Sequence, residues 1–157
     1  MQGAGALNAP RDSAVSMPSV SPVADEWAPL TEPQVEIMTA ARLGDEASCA
    51  FNESVSISLE GALDVPVLVT AVNAVVARHQ ALRGRIDRDG ERMQFASSLV
   101  LDVALEDLSR DSDPDAALAA LVAADARTPF DLMAGPLIRA RLVRLSTRRH
   151  VLVFTAH

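Results

Sequence analysis

Histidine is the side chain best suited to proton transfer near neutral pH, and this chain has three, His79, His150 and His157. Their number and spacing offer no set of metal ligands, and no Ser-His-Asp arrangement or phosphate-binding glycine loop accompanies them. The single cysteine, Cys49, forms no intrachain disulfide and supplies no pair of thiolates for zinc. We therefore expect no metal site, and we expect any proton transfer to depend on a histidine.

His157 has the most informative context of the three. It follows residues 151–156 (VLVFTA), which are apolar on both faces of a predicted strand, as is typical of the centre of a sheet. Residues 130–137 (FDLMAGPL) precede this strand, and we expect Phe130 to enter the core while Asp131 accepts hydrogen bonds from loop backbone. The pattern predicts that a buried central strand places His157 at its end.

A second group of candidate site residues, 78–83 (RHQALR), ends a predicted helix. Apolar positions recur at three- and four-residue spacing from residue 65 to His79, so we expect His79 to lie at the buried end of this helix and to bond nearby backbone. We expect Arg78 and Arg83 to tie the helix end to a strand.

Hydrophobic periodicity predicts strands that alternate with two long helices. Asp64 should cap the first of these helices, and Asp113 with Pro114 should open the second, whose inner face carries Leu118, Leu121, Val122 and Asp125. The dipeptide Asp89-Gly90 predicts a hairpin. The remaining strands are predicted at residues 55–60, 85–87, 92–95, 99–105, 137–145 and 151–156. This order indicates an α/β fold, a two-layer α/β sandwich.

Residues 1–28 are rich in Pro, Ser, Ala and Gly and lack an apolar period, so we expect a flexible leader or linker. Structure is expected from residue 29, with Thr31 capping a helix that ends near Gly44. The predicted organisation is one folded unit over residues 29–157.

The net charge of −7 opposes binding to nucleic acid or to an anionic membrane, so neither is expected as a partner. Arginines nevertheless cluster late in the chain, either on a solvated strand edge or as a patch for an acidic partner: Arg139, Arg141, Arg144, Arg148 and Arg149. A lone cysteine, no signal peptide and no apolar run of membrane-spanning length predict a cytoplasmic protein.

Three segments together resemble the condensation domains of nonribosomal peptide synthetases. Residues 30–38 (LTEPQVEIM) resemble the opening motif Ser-x-Ala-Gln-x-x-x-Trp/Met, with Gln34 in place and Thr31 and Pro33 as departures. Residues 78–83 match Arg-His-Glu-x-Leu-Arg except at Gln80. The third segment is the most specific and runs from Phe130 to the strand that approaches His157. Three residues within it match the family pattern: Gly135, Pro136 and Arg139.

The resemblance implies one lobe of a fold like chloramphenicol acetyltransferase, with His157 as the first histidine of a His-His-x-x-x-Asp-Gly motif. In this family the second histidine is placed to deprotonate or orient the attacking amine, and a strand arginine such as Arg139 buttresses the loop through the motif's aspartate. We therefore expect the chain to be an N-terminal lobe whose catalytic residue and C-terminal lobe lie beyond residue 157. Alone, it is expected to be inactive.

The resemblance also implies the reaction. A complete domain would join an acyl or peptidyl donor and an aminoacyl acceptor through an amide bond, each held on the phosphopantetheine of a carrier protein, with no tightly bound cofactor. Two alternatives remain at this point: a related acyltransferase that forms esters, and a docking module that binds carrier proteins without chemistry.

Overall fold

The computed structural model describes residues 25–157. The helices are α1 (Glu32–Ala41), α2 (Asp45–Cys49), α3 (Val65–Arg78) and α4 (Pro114–Ala126). The strands are β1 (Glu26–Pro29), β2 (Glu53–Glu60), β3 (Gly84–Ile86), β4 (Arg92–Phe95), β5 (Val103–Asp107), β6 (Ile138–Arg144) and β7 (Arg149–Ala156). The α/β sandwich predicted from the sequence is confirmed.

The main sheet has four strands in the order β2-β7-β6-β5. Strand β7 is antiparallel to both of its neighbours, and β5 runs parallel to β6. The prediction of a central, buried last strand is therefore confirmed, and Val151, Val153 and Thr155 are at most 3% exposed. Residue 157 thus follows a strand that is paired on both sides.

The two long helices cover opposite faces of this sheet, so the α/β sandwich has a helix layer on each side of the sheet instead of the two layers predicted. The face under α3 carries Leu142 and Leu152, which pack with Val72 and Val76 of the helix. The face under α4 carries Val143, Leu145, Val151 and Val153. Because side chains alternate along a strand, β6 and β7 supply both faces, and their apolar residues therefore form two separate cores.

Both helices begin as the sequence predicts. The Asp64 carboxylate accepts a hydrogen bond from the Val67 N–H at 3.1 Å, and the Asp113 carboxylate accepts one from the Ala116 N–H at 3.0 Å. Each bond satisfies one of the free N–H groups of a first helical turn.

A second sheet of three strands, in the order β1-β4-β3, stands beside the first. The predicted hairpin is confirmed as β3 and β4, and Gly90 adopts φ +74° in its turn. The start predicted at residue 29 is wrong, because β1 pairs with β4 from Glu26 onwards. Asp25 adds bonds to Gln94 Nε2 (2.7 Å) and Ser97 N (3.0 Å). The remainder of the predicted leader, residues 1–24, lies outside the described residues.

The strand predicted over residues 99–105 is only half correct, since β5 begins at Val103. Leu101 is buried, but its backbone bonds a side chain instead of a strand. Asn73 of α3 accepts from Leu101 N at 2.8 Å and donates to Leu101 O at 3.2 Å. This pair of bonds substitutes for a β-ladder, and side-chain alternation alone does not reveal it.

No helix among residues 25–157 is long and apolar enough to cross a bilayer.

Candidate functional site

His157 lies directly after β7 and is held by both its backbone and its ring. Its N–H donates to Leu137 O at 3.1 Å, which anchors it to the segment that enters β6. Its Nε2 lies 3.3 Å from the Oγ of Ser48, a buried residue of α2. The rings of Phe51 and Phe130 each lie with their centroids 6.2 Å from the imidazole, the latter edge-on. The side chain is thus half-buried and restrained from three sides.

This environment favours the neutral imidazole. Burial among the two phenylalanines lowers the pKa of His157, because desolvation penalises the charged ring, and a backbone hydrogen bond at Ser48 offsets part of that effect. A neutral imidazole can accept a proton or orient a donor at neutral pH.

A cleft of about 300 Å³ opens at the His157 ring. Most of its wall is apolar, and its polar groups besides His157 are Gln34 and Glu53. The apolar members are Ile37, Ala50, Phe51, Ile86, Met93 and Leu137. Helix α1, the small sheet and the end of the main sheet therefore meet around the histidine.

Gln34 reaches this cleft as part of a helix cap. Its side-chain oxygen accepts from the Thr31 N–H at 2.9 Å, which closes the first turn of α1 and confirms Thr31 as the N-cap. The sequence singles out Gln34 by motif alone, and the structure gives it a capping bond next to the candidate site.

The segment from Phe130 to Leu137 has the predicted form. Phe130 is buried, and the Asp131 carboxylate accepts from Met133 N (3.0 Å) and Ala134 N (2.9 Å). Gly135 takes φ +62° and is followed by a cis bond to Pro136. A side chain at Gly135 would be strained by that φ and would meet the Arg85 Cβ at 3.1 Å. This segment turns the chain so that Leu137 can receive the His157 N–H.

Asp125 is the site residue whose role the sequence does not reveal. It is 4% exposed and sits in the last turn of α4, on the inner face that the periodicity predicts. Its Oδ1 accepts from Arg141 Nε at 3.1 Å and its Oδ2 from the Thr155 hydroxyl at 2.8 Å. An acidic residue within an apolar helical face is the available signal, because a buried carboxylate requires partners.

Arg139 and Arg141 therefore share a carboxylate within this chain. Arg139 Nε lies 3.7 Å from Asp125 Oδ1, and its Nη2 donates to Asp125 O and Thr128 O, each at 2.8 Å. Its guanidinium also stacks 3.7 Å from the Phe130 ring centre. The resemblance assigns Arg139 to a loop aspartate beyond residue 157; here the arginine meets Asp125 and the end of α4.

The late arginine cluster forms mostly ion pairs within the fold. Arg144 pairs with Asp107 at 3.4 Å, and Arg149 pairs with Asp115 at 2.6 Å. The interpretation as a strand edge is wrong, because β6 and β7 are the two central strands.

The second group of candidate residues, 78–83, lies at the end of α3, and its members differ in their contacts. Arg83 donates to Val76 O (2.8 Å), Ala77 O (2.6 Å) and Ala96 O (2.8 Å), so it ties the helix end to the strand as predicted. The prediction of a buried His79 is wrong, because α3 ends at Arg78 and leaves His79 exposed. Neither His79 nor Arg78 reaches the His157 cleft.

A larger cleft, of about 640 Å³, lies between the small sheet and Asp131. It does not include His157, and charged or polar residues form most of its wall: Arg85, Asp87, Arg88, Gln94 and Asp131. Residues 25–157 contain no group of three His, Cys, Asp or Glu side chains placed to hold a metal ion. His157 and its cleft are therefore the candidate site.

Residues 24–157 match the family described as "Condensation domain". Chondramide synthase of Chondromyces crocatus is 34% identical over 133 residues, which are 82% of this chain and 3% of that protein. One linear gramicidin synthase protein of Brevibacillus parabrevis is 36% identical over 145 residues, which are 89% of this chain and 3% of that protein.

Solved structures agree with these relatives. The starter condensation domain of rhizomide synthetase superposes with a TM-score of 0.77 at 27% identity, covering 84% of this chain and 34% of that one. The tallysomycin biosynthesis protein TlmII superposes with a TM-score of 0.74 at 27% identity, covering 84% and 33%. The chain thus spans about a third of the solved domain it resembles.

Proposed function

The chain belongs to the condensation-domain family, and from this premise we propose that it is the N-terminal lobe of a domain that forms an amide bond between two carrier-bound thioesters. The donor would be an acyl or peptidyl group and the acceptor an aminoacyl group. The C-terminal lobe of the same domain would be a further partner, forming the opposite wall of a substrate channel.

The observation that carries this proposal is the placement of His157. A buried central strand ends at a half-buried histidine with a lowered pKa, on an apolar cleft. Thioesters are already activated, so the reaction chiefly requires a free amine held against the thioester carbon. We assign His157, as the first motif histidine, a positional role. We assign proton transfer, or orientation of the attacking amine, to the histidine expected next in the chain.

Known ligands of a relative support the substrate class. A double mutant of the starter condensation domain of rhizomide synthetase has been solved in complex with C8-CoA and Leu-SNAC, and it superposes on this chain with a TM-score of 0.72 at 27% identity. Both ligands are thioesters that mimic substrates on a phosphopantetheine arm. We propose that both substrates of this protein are likewise carried on phosphopantetheine arms, and we assign the protein no other cofactor. A lone cysteine fits a reducing cytoplasm.

The test is product analysis with the domain that contains this chain. One carrier protein is loaded with an acyl donor and a second with an aminoacyl acceptor, and the acceptor is analysed by mass spectrometry. We expect acylation of the acceptor amine. A hydroxyacyl acceptor of the same size is the matched control: preferential acylation of that hydroxyl would assign the domain to ester formation, and no transfer to either would leave only carrier docking.

A further inference from the structure

We propose that Asp125 is a positioning residue that holds His157 in place from the α4 side of the main sheet. This inference rests on the proposed function in treating His157 as part of the active-site motif. Asp125 lies on α4, and His157 follows β7, so any influence must pass through intervening side chains. Two such routes are present.

The first route runs through the strand. Thr155, two residues before His157, is fully buried and donates its hydroxyl to Asp125 Oδ2 at 2.8 Å. The same hydroxyl lies 2.9 Å from Ser54 Oγ on β2. The carboxylate therefore holds the last turn of α4 against the final residues of β7 and sets where that strand ends. A hydrogen bond to a charged, buried acceptor is among the stronger kinds.

The second route runs through an aromatic ring. Arg139 bonds the carbonyl oxygens of Asp125 and Thr128 and pairs with the Asp125 carboxylate at 3.7 Å. Its guanidinium covers the Phe130 ring at 3.7 Å, and that ring meets the His157 imidazole edge-on. Asp125 thus orients Arg139, and Arg139 orients the Phe130 ring that lies against the His157 imidazole.

Charge explains why the residue must be an acid. Burial lowers the pKa of Arg139, and the negative charge of Asp125 offsets only part of that effect, so the carboxylate reduces the cost of desolvating that guanidinium. Arg141 shares the same carboxylate at 3.1 Å. An amide at position 125 would keep the shape and leave two neighbouring cations without their counter-charge.

Asn52 adds a third tie to the same helix end. Its side-chain amide donates to Ala126 O at 2.8 Å and to Thr128 O at 3.0 Å, and the ring of Phe51 beside it lies near His157. The end of α4 therefore contacts the segment that leads into β2 as well as residues of β6 and β7. Asp125 is the acidic residue at the centre of that junction.

The test compares Asp125→Asn with Asp107→Asn by NMR on the present chain. Asp107→Asn is the matched control because it removes an exposed carboxylate from another β6 arginine, Arg144. The readouts are hydrogen exchange of the His157 amide and the nuclear Overhauser effect between the Phe130 and His157 rings. In D125N we expect His157 exchange to quicken by at least about tenfold, the scale of one lost charged hydrogen bond, and the Overhauser effect between the rings to disappear. In D107N both should stay as in the wild type.

A second pair of variants keeps the inference testable if D125N does not fold. Thr155→Val replaces the hydroxyl with a methyl group and should quicken His157 exchange, whereas Thr155→Ser retains the hydroxyl and should preserve wild-type exchange. The inference is wrong if T155V and T155S behave alike. It is also wrong if D125N accelerates exchange equally at the centre of β7, which marks general destabilisation. These readouts need no turnover, so their failure and a failure of amide formation are separate results.

Discussion

Among single residues, His157 owes its chemical state to the apolar rings around it. Phe51 and Phe130 desolvate the imidazole, and this burial is the main reason for its lowered pKa. The sequence identifies the histidine and the roles of Phe130 and Asp131. It could not reveal the parts played by Ser48 and Asp125, because each reaches the site only through tertiary bonds, across 109 and 30 residues.

Replacing Phe51 with alanine should raise the pKa of His157 toward its ordinary value near 6.5, because water would reach the ring. NMR titration of the imidazole measures the change. Leu43→Ala is the control, since Leu43 is 83% exposed and should leave the titration unmoved. An unchanged His157 titration in F51A would show that another group sets the pKa.

His157 should also make stability depend on pH. Its folded-state pKa lies below the unfolded value, so the unfolded chain binds the proton more tightly. The free energy of unfolding should be undiminished above about pH 6.5 and should fall as the pH drops below that value. Urea denaturation between about pH 7.5 and 5.5, a range that spans the ordinary histidine pKa, measures this slope. His157→Gln should flatten it, and an equal slope in both proteins would assign it to other groups.

Among the helices and strands, periodicity identifies α3, α4, β2, β6 and β7, since each contributes apolar residues to the two cores or their margins. Periodicity fails where backbone N–H and C=O groups bond partners that the hydrophobic pattern does not indicate. Leu101 bonds the Asn73 side chain, and β1 pairs with β4 despite having no apolar period. The predicted end of α3 is one residue late, because His79 follows the last helical residue.

Arg83 should be the more important arginine at that helix end. It satisfies three carbonyl oxygens, whereas Arg78 is exposed. Arg83→Ala should lower the free energy of unfolding by about 2 kcal/mol, because part-buried carbonyls lose their donor. Arg78→Ala, the control, should stay within about 0.5 kcal/mol of the wild type. Equal losses by urea denaturation would contradict this division.

Across the whole molecule, part of the α3 side of the main sheet is uncovered. Val55 is 59% exposed and Ile57 is 44% exposed on the edge strand β2, and Val67 and Val75 of α3 are also exposed. Val55 and Ile57 pair with Phe154 and Leu152, so they point to the face that α3 covers. Exposed apolar groups on an edge strand favour association with other chains.

We therefore expect the present chain to self-associate as its concentration rises. Val55→Lys should reduce association, because it replaces an exposed apolar side chain on the α3 side of the sheet with a charged one. Ser56→Lys is the control, as the neighbouring exposed residue on the opposite face. Sedimentation velocity measures both variants. A wild-type chain that stays monomeric at high concentration would contradict the expectation.

The proposed function depends above all on His157 being the first residue of the active-site motif of a condensation domain. Reading the codons that follow position 157 in the source DNA tests this assignment most directly. We expect a histidine at position 158, then three residues, then Asp-Gly, followed by a second lobe. A different residue at position 158, or a stop codon, would contradict the assignment.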